Sequence, residues 1–247
     1  MLALPPALLF DLDDTILAFS APVKGSWMQA CEAYVQQREK TEATPRVELD
    51  AGRLFTTLHQ AMTAFWADPA RAESARVDMP GSRRTIVREV FEHLGLDDED
   101  GALELAAHFS QLREAGIDLF PRARDTLVEL RRRGHRLGLV TNGAASPQRR
   151  KIHRFALAPL FEAILVEGEW GVGKPDASIF RAALERLGTH PCDACMVGDN
   201  LAADIRGAAD LGLLTIWNDF DRRGLPGDAP ATPDRTIHSI AELLTAE

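Results

Sequence analysis

The spacing of apolar positions divides this chain into two regimes. Leu8-Leu9-Phe10 is a short apolar run that stops abruptly at Asp11, Asp13 and Asp14, the pattern of a buried strand that ends in a polar turn. Beyond it, up to about Leu119, apolar residues recur at helical spacing instead. Trp27, Cys31, Tyr34 and Val35 share one face; Leu54, Leu58, Met62 and Phe65 make a second stripe. Ile86, Val90, Phe91 and Leu94 make a third, closed by Gly95, and Leu105, Ala106, Phe109 and Leu112 a fourth, closed by Gly116. Four amphipathic helices can bury such stripes against one another. An inserted all-helical domain over about 19–119 is the expectation.

After the insert the two periods alternate. Pro121 suits the first turn of a helix through Leu127 and Leu130 to Gly134. Strand Leu137–Val140 precedes a helix near Gln148–Ala156, and strand Ala163–Val166 precedes one near Ser178–Leu187. Strand Cys195–Val197 precedes a helix near Ala203–Leu211, and strand Leu213–Trp217 follows. A last short strand near Ile237–Ile240 and a closing helix complete the pattern, after a Pro/Gly-rich loop over 222–233. Strand–helix alternation implies an α/β fold with a parallel sheet and helices on both faces. The domain plan is therefore a core of 1–18 and 120–247 with the insert at 19–119.

Composition narrows the function. The 247 residues carry a formal net charge of -9, which disfavours a nucleic-acid partner, because phosphate backbones demand a basic face. The short runs Arg131-Arg132-Arg133 and Arg149-Arg150-Lys151 read as solvated helix faces. Three cysteines, Cys31, Cys192 and Cys195, do not make a disulfide framework, and the single C-x-x-C lacks the second pair a structural zinc needs. The first ten residues contain two prolines and no basic segment, so they do not read as a signal peptide, and no apolar run approaches the ~20 residues of a membrane span. The expectation is a soluble protein of a reducing cytoplasm.

The polar residues at the predicted strand ends carry the chemistry. Asp11 and Asp13 follow the first strand; Thr141-Asn142-Gly143 follow the second. Gly173-Lys174-Pro175 lie beyond the third, and Gly198-Asp199 with Asp204 follow the fourth. Parallel strands bring these ends to one edge. Four carboxylates, a hydroxyl and a lysine on one edge suit Mg²⁺ together with a phosphate: hard oxygen ligands for the cation, donors for the anion. Each piece alone reads as a turn, a cap or a surface lysine; their joint order at four strand ends is the signal. Gly168 to Lys174 also fits G-x-x-x-x-G-K, but Pro175 stands where a P-loop needs Ser or Thr.

These residues resemble the haloacid dehalogenase-like hydrolase superfamily. Its D-x-D-x-T motif matches Asp11, Asp13 and Thr15; its Thr after a strand matches Thr141; its lysine matches Lys174; its G-D-x-x-x-x-D matches Gly198, Asp199 and Asp204. The resemblance implies a Rossmann-like core with a helical cap that closes over it, and an aspartyl-phosphate mechanism. Asp11 would be the nucleophile and Asp13 the general acid and base. Thr141, Asn142 and Lys174 would hold the transferring phosphoryl group. Mg²⁺ would sit on Asp11, the backbone carbonyl of Asp13 and Asp199, with Asp204 orienting a metal-bound water or Lys174. An acid at Asp13 favours phosphate esters over carbon–halogen bonds, because only the ester's leaving oxygen needs a proton. The implied activity is hydrolysis of a small soluble phosphomonoester. A phosphomutase and a non-enzymatic receiver-like phosphoacceptor remain alternatives. Trp27, Trp66, Arg83 and Arg84 are candidates for the cap lining, with the tryptophans equally readable as core and the arginines as surface.

Overall fold

The computed structural model of the protein describes residues 3–41, 49–68, 70–71 and 78–245. They divide into two compact units, one of Met1–Ser20 and Asp118–Glu247, the other of Ala21–Ile117.

The first unit is a parallel six-stranded sheet. Its strands are β1 (Ala7–Phe10), β2 (Arg136–Thr141), β3 (Ala163–Val166), β4 (Ala194–Gly198), β5 (Leu214–Asn218) and β6 (Arg235–Ile237), in the spatial order β3-β2-β1-β4-β5-β6. β1 is fully buried, as its unbroken apolar run requires. Leu9 lies opposite Gly138 on β2 and Met196 on β4. A Cβ on Gly138 would stand 2.7 Å from the Leu9 side chain, so glycine there lets β1 and its neighbours pack closely. Chain order runs outward from β1 to β2 and β3, then returns to β1's other side with β4. That reversal opens a crevice at the carboxyl ends of β1 and β4, where open α/β sheets bind ligands. One layer of the core joins Leu9, Val140, Leu165 and Met196 to Ile179, Phe180, Ala183, Leu184 and Leu187.

The second unit contains helices α1 (Val23–Thr41), α2 (Ala51–Ala67), α3 (Met79–His93) and α4 (Glu99–Gly116). Their stripes meet in one cluster that includes Trp27, Cys31, Tyr34, Leu54, Leu58, Val90, Phe91, Leu105 and Phe109, while Phe65 packs separately on Ile86. Three helices start on an aspartate whose carboxylate accepts a backbone N–H of the first turn: Asp50 from Arg53, Asp78 from Gly81 and Asp98 from Gly101. Such caps contribute about 1 kcal/mol each.

Four local expectations change. Helix α5 (Ala123–Arg132) begins two residues after Pro121, because Arg122 adopts a left-handed conformation at φ 63. After β2 come α6 (Ala145–Arg154) and then β3; a short helix α7 (Glu167–Trp170) follows β3 before α8 (Ala177–Arg186). The helix expected near Ala203–Leu211 starts earlier, as a wide π-type turn over Leu201–Arg206 that continues through Gly207–Ala209. The last strand ends at Ile237, and Ile240–Thr245 form a 3₁₀ turn.

Candidate functional site

The residues at the carboxyl ends of β1, β2 and β4 form the site together with Lys174, which comes from the segment after β3 and α7. Asp11 follows Phe10 directly, and its N–H continues the sheet by donating to Val197 O at 2.9 Å. Lys174 donates to Asp11 Oδ1 at 2.5 Å and stands 2.6 Å from Asp204 Oδ1. Its side chain is only 2% exposed. Among the described residues, Asp11, Asp199 and Asp204 can place one carboxylate oxygen each within 4.8 Å of one another.

Burial pushes the Asp11 carboxyl up to about 7, against the lowering pull of Lys174 and with a further push from Asp204 and Asp13. Burial, then the neighbouring Asp11, Asp204 and Asp14, pushes Asp199 up to about 9. Burial works against the charge on Lys174, but Asp11 and Asp204 outweigh it, so its pKa rises. One lysine therefore neutralises only part of a buried acidic cluster. The remaining all-oxygen donor set suits a hard divalent cation, which would favour the ionised carboxylates.

The supports of this cluster explain its sequence. Asn200 N–H donates to Asp204 Oδ2 at 3.0 Å, while the Asn200 side chain accepts from Ala202 and Ala203 N–H. These bonds pull the following helix open at its start and turn Asp204 inward. A Cβ on Gly198 would lie 2.3 Å from Asp204 Oδ2, so the glycine before Asp199 is needed to admit that carboxylate. Trp217 Nε1 donates to the Asp199 carbonyl at 2.7 Å. The Asp14 carboxylate accepts from Ser20 N and Oγ, and Asn218 Nδ2 donates to the Asp14 carbonyl.

Asp13 sits apart from Asp11's partners. Both its carboxylate oxygens accept from Lys151 Nζ, at 2.6 and 2.5 Å, and Oδ2 also lies 3.1 Å from Gln148 Nε2. The Asp13 carboxylate thus acts on Asp11 only as a neighbouring charge and is not one of the three clustered carboxylates. Thr141 is buried at the end of β2 and its Oγ1 accepts from Gln148 Nε2 at 2.6 Å. The Asn142 side chain bonds the backbone of Lys174. Its Nδ2 donates to Lys174 O and its Oδ1 accepts from Lys174 N–H, both at 2.7 Å, so it fixes the lysine's backbone.

Residue 5 to residue 212 match the model of the haloacid dehalogenase-like hydrolase family. The chain belongs to that family. The hydrolase is 36% identical over 254 residues to a phosphoserine phosphatase of Thermus thermophilus, covering 97% of this chain and 98% of the relative. It is 29% identical to a glyceraldehyde 3-phosphate phosphatase of Methanopyrus kandleri, over 96% and 95% of the two chains. Among solved structures, the HAD-hydrolase YfnB of Bacillus subtilis, crystallised bound to magnesium, superposes with a TM-score of 0.67 at 24% identity over 98% of both chains. That likeness confirms the fold.

Two residues of the hydrolase's site were missed in the sequence. Lys151 belongs in sequence to the basic run with Arg149 and Arg150, but its side chain is 11% exposed and bound to Asp13. Gln148 carried no signal of its own, although three-residue spacing from Lys151 puts both on one face of α6. In the helical unit Trp27 stacks on Phe109 with ring centroids 3.7 Å apart and belongs to the core, whereas Trp66 is 43% exposed. Arg83 lies over the Phe109 ring and donates to Ser110 Oγ at 2.5 Å; burial, with Arg113 nearby, lowers its pKa to about 10. Arg84 is exposed beside Asp78.

Proposed function

We propose that this hydrolase is a Mg²⁺-dependent phosphatase acting on a small phosphomonoester through an aspartyl-phosphate. The observation that supports the reading is the separation of two carboxylates two residues apart. Asp11 is locked on Lys174 in a cluster that suits a cation; Asp13 is held outside that cluster on Lys151 and Gln148. Two acids in different environments can take two roles.

In the first half-reaction an Asp11 oxygen attacks phosphorus and the ester P–O bond breaks. Asp13 gives its proton to the departing oxygen. In the second, Asp13 takes a proton from water as that water attacks phosphorus, and the acyl-phosphate P–O bond breaks to release phosphate and restore Asp11. Lys174 and the Thr141 hydroxyl hold and neutralise the phosphoryl oxygens, and Asn142 keeps Lys174 in place. Asp11 and Asp199 would hold Mg²⁺ with the Asp13 carbonyl, and Asp204 would orient Lys174 or a metal-bound water. When bound, the cation supplies charge neutralisation between Asp11 and the phosphoryl group, the main demand of phosphoryl transfer.

The α/β unit is the catalytic core in this reading, and the helical unit, which contributes none of these groups, is a cap that selects the substrate. The relatives named for phosphoserine and glyceraldehyde 3-phosphate make small three-carbon phosphomonoesters the first compounds to assay. A cytoplasmic metabolite is the proposed substrate; no helix among the described residues is long and apolar enough to cross a membrane. The test is hydrolysis of p-nitrophenyl phosphate with and without Mg²⁺ by wild type and Asp11→Asn. Metal-dependent turnover that disappears in the variant is expected. Equal turnover by the two proteins would remove Asp11 as nucleophile and the mechanism with it.

A further inference from the structure

Asp13 as acid and base rests on the phosphatase reading above; granted that role, we infer that Lys151 and Gln148 are positioning residues for its proton transfer. They hold the Asp13 carboxylate and the Thr141 hydroxyl in one network. Lys151 Nζ reaches both Asp13 oxygens and lies 4.3 Å from the centre of the Phe19 ring. Its side chain and that of Asp13 are 11% and 22% exposed, so the pair is shielded without being sealed from an incoming substrate.

Gln148 joins the acid to the phosphoryl-binding residue. Its Nε2 lies 3.1 Å from Asp13 Oδ2, 2.6 Å from Thr141 Oγ1 and 2.8 Å from Asn142 O. An amide nitrogen carries two hydrogens and here faces three acceptors, so the longest contact, to Asp13, is the one it yields most readily when the carboxylate turns to a leaving group. By donating to Thr141 Oγ1, Gln148 makes that oxygen an acceptor and leaves the hydroxyl proton for a phosphoryl oxygen. That proton has a long contact of 3.4 Å to Asn142 O. Both side chains come from α6, which begins four residues after Thr141, so β2 and α6 set acid and hydroxyl as one rigid piece.

The leaving group tells positioning from general structural support. kcat/KM covers only the steps through departure of the leaving oxygen and formation of the aspartyl-phosphate. A nitrophenolate leaves without a proton; an alkoxide needs one from Asp13. Lys151→Met is therefore expected to lower kcat/KM for O-phosphoserine, or for the best alkyl phosphomonoester of a panel, at least tenfold more than for p-nitrophenyl phosphate. Lys151→Arg, whose guanidinium can also meet both carboxylate oxygens, should recover most of the alkyl-ester loss. Lys151→Gln, which removes the charge and leaves the Gln148–Thr141 contact in place, provides the same comparison if Lys151→Met does not fold, as judged by circular dichroism and thermal melting. Parallel losses on both substrates, or none, would overturn the positioning role while the phosphatase reading stands. A wild type that hydrolyses neither substrate with Mg²⁺ would overturn that reading and this inference together.

Discussion

Replacing Lys174 by methionine separates electrostatic from steric support of the site. Methionine keeps most of the lysine's length and removes its charge. The lysine stands 2.5 Å from Asp11 and 2.6 Å from Asp204, with both partners' side chains less than a tenth exposed. Removing one member of a buried ion pair costs about 3–5 kcal/mol, because the remaining charge is left desolvated. The cost must depend on pH. Burial already raises Asp11 to about 7 while Lys174 pulls it down; without the lysine it rises further. A carboxyl whose folded-state pKa lies above its unfolded value contributes stability below the unfolded pKa, and that stability is lost as pH rises through the folded one. Metal-free wild type should therefore lose stability from about pH 4 through about pH 9, as Asp11 titrates near 7 and Asp199 near 9, and Lys174→Met should lose more of it above pH 7 because its Asp11 titrates higher. The gap between the proteins is expected to be small at pH 5 and to reach about 3–5 kcal/mol at pH 8. For a domain of this size that corresponds to roughly 6–20 °C in Tm. The assay is urea and thermal unfolding followed by circular dichroism, in EDTA so that no cation takes the lysine's place. A gap that is the same at both pH values, or below about 1 kcal/mol at pH 8, would refute the account of Lys174 as the counter-charge of a buried acidic pair.

Stabilisation by Mg²⁺ should grow with pH. Asp11 and Asp199 are held up to about 7 and about 9, so a cation must displace more protons at pH 6 than at pH 8; a Tm increment from Mg²⁺ that is flat across that range would contradict the site. Gly198→Ala should reduce kcat through a displaced Asp204 carboxylate, whose Oδ2 would lie 2.3 Å from the new methyl; a 1 Å misplacement can cost on the order of a hundredfold, and wild-type kcat would show that the close approach is not needed. Phe180→Ala, in the fully buried layer beside the sheet, should cost about 3–5 kcal/mol in urea unfolding, with the binding of Mg²⁺ to the folded protein intact.

The parts of the fold that were legible in the sequence are those set by burial. Leu8–Phe10, Val140 and Val166 sit in largely buried strands, whose central positions read as near-continuous apolar runs. The helical stripes were legible for the same reason, and each of the three aspartate caps lies one residue before its helix. What escaped depends on contacts distant in sequence. The opened turn at Leu201–Arg206 arises because Asn200 and Asp204 bond each other's segment, which helical periodicity does not encode. Asp11 and Lys174 carried a family motif and could be read together. Lys151 looked like the end of a basic run, and only the fold reveals that its partner is Asp13, 138 residues away. The clamp of the Asn142 amide on the Lys174 backbone, 32 residues away, was likewise not legible in the sequence.

The central place of β1 bears on how the chain is made. Its two neighbours in the sheet are β2 and β4, and the second of these is complete only at Gly198. On a ribosome adding ~5–20 residues per second, the first strand emerges on the order of ten to forty seconds before its last partner. Once β2 is made at Thr141, β1 can pair with it on one edge while its other edge stays open, and the helical unit, contiguous in sequence, can already have completed its own core. The acidic cluster, which needs Asp199 and Asp204, is therefore completed only after the helices that interrupt the α/β unit, and the nascent chain carries one open edge of its central strand until β4 is made.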